Sequence, residues 1–442
     1  MLADSEGSTS FGRVLWTLRG VFTAPTFVTF CALATGMVCQ VGQRTVTGML
    51  VGSGLSRVWH HSVAHGFFSR ARWSLDALGL AVLDLVLERL VEAGSPVCLA
   101  IDDTLFLRSG RRVAHAFWQY NGSAAGPRKL GYGNNFVVVG VLVNLPMMSR
   151  TVCLPLLFRL RRKGDDAPKA PQLARELIEL VCAHLPGHEV HVAADGAYAN
   201  KSLRGLPGRV SVVARLRKDA ALYRQAPPRP TRPGRGRPPL QGGKLPSLTD
   251  IAGDQRRRWR QVTVTRYGQT HTVRVLTIVA LWYEVFHTQP VRVVLIEDTR
   301  GCEPFEIALI CTDPSVTVEQ VVSRYADRWS IEVAFQDAKH ITGVGQARNR
   351  TPRAVERTVP FGLIIQSLTV IWYAQHGDPA ADVARRRKLA RWYDTKTEPS
   401  TTDMQSALRR QILTDQFQAR TGRTADPAKI IDPAQLLELM AA

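Results

Sequence analysis

Apolar residues recur at helical spacing through the first 95 residues, then give way to short runs that are either alternating or apolar throughout. LDALGLAVLDLVLERLVEAG predicts an amphipathic helix ended by Gly94 and Pro96. VFTAPTFVTFCALATGMVCQ (21–40) is long and uncharged, but Pro25, Gly36 and four Thr interrupt it. It reads as a buried helix rather than a membrane span. From Val97 the pattern is α/β. VCLAIDD predicts a strand stopping at two acids, and RRVAHAFWQY, NNFVVVGVLVNLP and TVCLPLLFRL predict antiparallel partners. PKAPQLARELIELVCAHLP predicts a helix, EVHVAADGAY a strand ending at an acid, and RVSVVARLR one strand more.

Residues 224–247 are rich in Pro, Gly and Arg and cannot bury enough apolar surface to fold compactly, so an exposed basic loop is expected. RQVTVTRYGQTHTVRVLTIVALWYEVF, VRVVLIED and FEIALICTD then alternate as antiparallel strands do. A helix is predicted after Pro314, with Thr317 as N-cap and Gln320 three residues on as its capping-box partner. FGLIIQSLTVIWYA predicts an apolar helix, and a basic helical tail follows. The divisions expected are an N-terminal helical, DNA-contacting domain (1–95), an α/β core (96–223), a basic loop with a β-rich insertion (224–312), the return to the core (313–376) and the tail (377–442).

Charge narrows the class of partner. Lys and Arg number 57 against 37 Asp and Glu, a net charge of +20 that favours a polyanion, nucleic acid first. The seven Cys are scattered without CxxC or zinc spacing, as expected of small buried hydrophobes in a reducing compartment. No GxSxG, Cys–His pattern or phosphate-cradling GxxxxGK[ST] is present, so a side-chain nucleophile or a P-loop is not expected.

The chemistry gathers on RYADRWSIEVAFQDAKH. At about 100° per residue, Tyr325, Arg328, Glu332 and Lys339 fall within an arc of roughly 60° on one helical face. A ring, two cations and a carboxylate on one stripe make a poor core face. They suit a metal-binding acid set among phosphate-gripping groups, although a solvated charged face has the same composition. Trp329 is expected in the core, and His60, His61 and His65 as surface or core residues rather than metal ligands. Two further acids are delivered by strands: Asp102 after VCLAI, and Asp195 after VHVAA and before Gly196. Asp102 and Asp103 point to opposite faces of an extended strand, so one of them is expected to ligate, with Asp102 favoured and Asp103 the fallback. Carboxylates at neighbouring strand ends, joined by one from a helix packed on the sheet, can converge on a pair of hard divalent cations.

The three motifs Asp102-Asp103-Thr104, Asp195-Gly196-Ala197-Tyr198 and Tyr325-x2-Arg328-x3-Glu332-x6-Lys339 resemble those of DDE transposases of bacterial insertion sequences, the group with a Tyr-Arg-Glu-Lys signature. The resemblance covers about residues 95–375. It implies an RNase H-like catalytic core, a mixed sheet flanked by helices, in which Asp102, Asp195 and Glu332 bind two Mg²⁺, with Mn²⁺ as a substitute. It also implies that Tyr325, Arg328 and Lys339 hold transposon-end DNA. The expected partners are double-stranded DNA and a second copy of the chain on that DNA, with no membrane. The expected location is the bacterial cytoplasm, at the nucleoid. Arg235 and Arg237 in PGRGRPP resemble a minor-groove hook. A related nuclease that cuts without strand transfer, and a non-catalytic DNA-binding relic, are the alternatives.

Overall fold

The computed structural model describes residues 9–122, 124, 127–227 and 238–421. Five helices lead: α1 (Ser10–Trp16), α2 (Ala24–Cys39), α3 (Val46–Gly52), α4 (His61–Ser69) and α5 (Leu75–Leu90). Next come β1 (Val97–Leu107), β2 (Phe117–Tyr120), β3 (Leu130–Val143), β4 (Val152–Leu160), α6 (Ala170–His184), β5 (Val190–Ala194) and β6 (Val210–Arg215). A second group of strands follows, with α7 (Leu248–Gly253), β7 (Arg260–Arg266), β8 (Gln269–Leu281), α8 (Tyr283–Phe286), β9 (Pro290–Ile296) and β10 (Ile307–Cys311). The chain closes with α9 (Val318–Asp327), α10 (Trp329–His340), α11 (Pro352–His376), α12 (Pro379–Leu389) and α13 (Thr401–Thr421).

The strands form one sheet. β3 is antiparallel to β1 and β4, while β5 is parallel to β1 and β6 parallel to β5. The order β4-β3-β1-β5-β6, with only β3 reversed, is that of an RNase H-like core. β3 is buried almost throughout because helices cover the sheet, so it reads as a continuous apolar run rather than an alternating one. The expected β-rich insertion does not form a sheet of its own. β10 pairs with β6, and β9, β8 and β7 extend the same sheet outward in that order. Between β7 and β8, Tyr267 and Gly268 both take positive φ (54° and 78°), the conformation a two-residue hairpin turn requires. Helix α9 packs Val318, Val321 and Val322 onto this extension, in a cluster with Val213, Val264, Val294 and Leu309.

The N-terminal helices share the main core with the sheet. Residues 21–40 form the buried α2 that their pattern implies, and Phe30, Phe67 and Phe68 meet Phe361 of α11 edge-on. α11 is the one described helix long and apolar enough to cross a membrane, and it is mostly buried inside the protein. It begins nine residues before its apolar run and continues through Pro360. An interior proline costs about 3 kcal/mol, which burial of both helical faces offsets.

Helices α2 and α3 touch backbone to backbone. A Cβ on Gly36 would lie 1.8 Å from the Met49 carbonyl oxygen, and one on Gly52 2.4 Å from that of Gly36. No flexible side chain can yield there, so Gly36→Val is expected to cost about 3 kcal/mol or more. Its urea midpoint should fall clearly below wild type. Gly20→Ala, with nothing within 4 Å of the new methyl, should leave the midpoint in place. Equal midpoints for wild type and Gly36→Val would show that the helices are not packed this closely.

Candidate active site

The parallel pairing of β1 with β5 ends at Ile101 opposite Ala194. Asp102 is thus the first residue of β1 beyond that pairing, and Asp195 the first residue beyond β5. Both lie where strand carboxyl ends open a crevice in an α/β sheet. The expectation that β1 stops at its two acids is corrected. The strand continues to Leu107, because Thr104-Leu105-Phe106 stays paired with Phe136-Asn135-Asn134. Asp102 therefore stands mid-strand, opposite Val138.

The adjacent acids do point apart, to different partners. The Asp102 Oδ2 accepts from Arg328 Nη1 at 3.0 Å, and Oδ1 accepts from the backbone N–H of Asp103 at 2.8 Å. Asp103 accepts from the Tyr198 hydroxyl (2.9 Å) and from Asn135 Nδ2 (2.7 Å). After Asp195 the chain turns, with Tyr198 N–H donating to the Asp195 carbonyl at 3.0 Å, which carries the Tyr198 ring back to Asp103. The spacing Asp195-Gly196-Ala197-Tyr198 thus places one acid at the strand end and ties down another. Both carboxylates are fully hydrogen-bonded, but Asp102 shares its guanidinium partner with Glu332, whereas Asp103 is tied to Tyr198 and Asn135, so Asp102 is the one that faces the second acid.

Arg328 is the hub. It is 8% exposed and donates from Nη2 to Glu332 Oε1 at 2.8 Å while its Nη1 holds Asp102. Its guanidinium stands 5.6 Å from the Tyr325 ring centre, and its Nε is buried with no hydrogen-bond partner. The capping box at Thr317 and Gln320 forms as the sequence implies. The helix it starts, however, breaks at Arg328 into α9 and α10. The guanidinium joins two carboxylates that are 230 residues apart in the chain (332 − 102).

Burial drives the Asp102 carboxyl up to about 7. Arg328 and the Asp103 backbone N–H pull it down, while the neighbouring Asp103 and Glu332 push it up. Burial likewise raises the Tyr325 hydroxyl, with Asp195 adding to the rise, and lowers Lys339. Lys339 Nζ sits 5.4 Å from the Phe106 ring centre. Asp102, Glu332, Lys339, Asn135 and Trp329 line one cleft of about 850 Å³, and Asp195 sits outside that lining. Among the described residues, no set of three or more His, Cys, Asp or Glu side chains is disposed to hold a metal ion. Two of the three expected acids meet at one guanidinium, and the third waits at the adjoining strand end.

Some placements differ from expectation. Trp329 is 48% exposed on the cleft wall rather than in the core. Arg235 and Arg237 lie outside the described residues. His60 caps α4 by accepting from Ser62 N–H, and His61 and His65 stay on that helix, away from the cleft. Asn134 and Asn135 escaped the sequence reading. Two neighbouring amides inside an apolar strand signal buried polar work. Asn135 holds Asp103, and Asn134 accepts from Arg108 Nε at 3.0 Å. Arg108 in turn ties the Gly345 and Ala347 carbonyls to the cleft.

An RNase H-like sheet with one acid just past the parallel pairing of β1 and another at the end of β5 defines a class of α/β folds. Within that class, a family model described as DDE superfamily endonuclease matches residues 18–277, more than half the chain. The chain belongs to that family. The match takes in Asp102 and Asp195 and ends before Glu332. The structure is also similar to a piggyBac transposase in a synaptic complex with hairpin DNA, determined by cryo-electron microscopy. That likeness has 11% identity and a TM-score of 0.41, over 95% of this chain and 76% of that one. A search of curated proteins finds no match.

Proposed function

We propose that the protein is a metal-dependent DNA transposase that cuts at the ends of an insertion sequence and joins the freed 3′-OH to target DNA, as a homodimer on that DNA. The observation that carries this reading is the gathering of Asp102 and Glu332 on Arg328, beside the strand end that bears Asp195. Those donors are carboxylate oxygens, which suit a hard cation such as Mg²⁺. The pair already holds one positive charge in common. Asp102, Asp195 and Glu332 would hold two divalent ions, whose chemistry there would be to activate an attacking oxygen and stabilise the leaving one. The chain's own part is to set the acids, to neutralise them through Arg328, and to offer Lys339 and Trp329 to the DNA that enters the cleft.

Incubation of the purified protein with Mg²⁺ and duplex carrying the element's end tests this. The expected products are nicked ends followed by joined DNA. Nicking without joining would leave a nuclease of the same fold, and binding with neither product a non-catalytic relic. The pH dependence gives a second reading. Asp102 must shed its proton before it ligates, and its carboxyl titrates near 7. The cleavage rate should therefore rise about tenfold per unit below that pH and level off above it. A flat profile between pH 6 and 8 at limiting Mg²⁺, where metal and proton compete for the carboxyl, would remove Asp102 from the rate-determining chemistry.

A further inference from the structure

A second surface on the same sheet face is built for a different part of the substrate. Paired residues of a sheet project to the same side. Asp102 aligns with Val138, Phe106 with Asn134, Tyr132 with Trp118, and Leu130 with Tyr120. Positions two apart also share a side. Trp118 and Tyr120 of β2 and Tyr132 and Leu130 of β3 therefore stand on the side of the sheet that carries Asp102. β2 is the sheet's outermost strand at this end, and Trp118 and Tyr120 are 69% and 73% exposed. Tyr120 also lines the cleft that holds Asp102 and Glu332, so the surface and the cleft are continuous.

Two large exposed rings on a short edge strand contribute nothing to the core, and hydrophobic area of that size in water implies a partner. The surrounding charge says which kind. Residues 110–135, which flank and include the paired parts of β2 and β3, carry Arg111, Arg112, Arg128 and Lys129, all exposed, and no Asp or Glu. That is a polyanion's surface. Duplex phosphates need no aromatic faces, whereas unpaired bases stack on them. Trp118 and Tyr132 meet at 55° with centres 5.8 Å apart, which leaves the indole face uncovered by a parallel ring. Two residues along a strand span about 7 Å. That is enough to admit one base between the Trp118 and Tyr120 rings.

We propose that Trp118 and Tyr120, with Tyr132 and Leu130 behind them, form a platform on which unpaired bases stack where a DNA strand leaves the catalytic cleft. This rests on the transposase reading and adds to it a site for single-stranded DNA.

Fluorescence anisotropy of labelled DNA with the full chain tests the proposal, using one blunt duplex and the same duplex with a short single-stranded tail. Trp118→Ala and Tyr120→Ala should each weaken binding of the tailed probe about tenfold and of the blunt probe less than twofold. The salt dependence of tailed binding should stay unchanged, because stacking releases no counterions. Trp118→Phe should restore most of the loss, which a structural defect would not allow. Equal losses on both probes, or no loss on either, would overturn the proposal. So would a dimer in the absence of DNA that Trp118→Ala converts to a monomer in sedimentation, since the face would then belong to a second copy. Should the wild-type chain bind neither probe, the transposase reading falls together with this site. Tail-independent binding removes the site alone.

Discussion

A Glu332→Gln protein is expected to fold, to bind DNA, and to cleave it about a thousandfold more slowly than wild type, equivalent to about 4 kcal/mol of barrier. The side chain is about one-third exposed, and Gln keeps an oxygen that can accept from Arg328 Nη2, so the local structure has little reason to change. What goes is one negative charge of the set proposed to hold the cations. Asp102→Asn and Asp195→Asn should match the loss. Asp103→Asn should behave differently. Asp103 serves two donors, Tyr198 and Asn135, and an amide has a single oxygen to offer them. Its cost should appear in thermal stability, with measurable cleavage left. A gel assay of Mg²⁺-dependent nicking, run beside melting curves, separates these cases. Full activity of Glu332→Gln would remove that carboxylate from the chemistry. The test matters because Glu332 lies outside the stretch that the family model matches.

The order of the acids, the strand-ending Asp195 and the capped start of the Glu332 helix were legible in the sequence because each has a local cause. An apolar run before an acid, a glycine after it, and a Thr-x-x-Gln box act over a few residues. What was not legible depends on distant partners. Projecting 100° per residue through Arg328 assumed an unbroken helix. Arg328 keeps right-handed helical dihedrals (φ −51°, ψ −34°) at the junction of α9 and α10, so Arg328 and Glu332 still share a face, and Trp329, one residue on, stands on the cleft wall. The contact of Arg328 with Asp102 was not legible either, because nothing local says that an acid on another element will meet it. The strands after residue 260 show period 2 clearly, but alternation cannot tell a separate sheet from the continuation of an existing one. Only the pairing of β10 with β6 decides that. The apolar run from Phe361 marked only part of α11, which begins at Pro352 and runs through Pro360, since tertiary burial outweighs propensity along a helix this enclosed.

Replacing Arg328 should separate positioning from DNA contact. The sequence alone suggests a phosphate clamp, whose removal would weaken end binding and flatten its salt dependence. In the structure the guanidinium is buried and its charge is already spent on Asp102 and Glu332. Arg328→Ala is therefore expected to leave the salt slope of DNA binding unchanged and to slow cleavage about a hundredfold, because two facing carboxylates lose the group that sets their spacing. Arg328→Lys should recover little of this, since one ammonium cannot fork to both acids as the guanidinium does. The sign of the metal effect is the sharper test. Arg328 holds the Asp102 carboxyl down, so its loss makes that carboxyl bind any positive charge more tightly, a proton or a divalent ion alike. At pH 8.5, where proton competition is small, calorimetry with Ca²⁺ should show affinity about tenfold higher in Arg328→Ala than in wild type, as expected when a competing charge a few ångströms away is removed. Weaker Ca²⁺ binding would mean that the guanidinium builds the cation site instead of standing in for its charge.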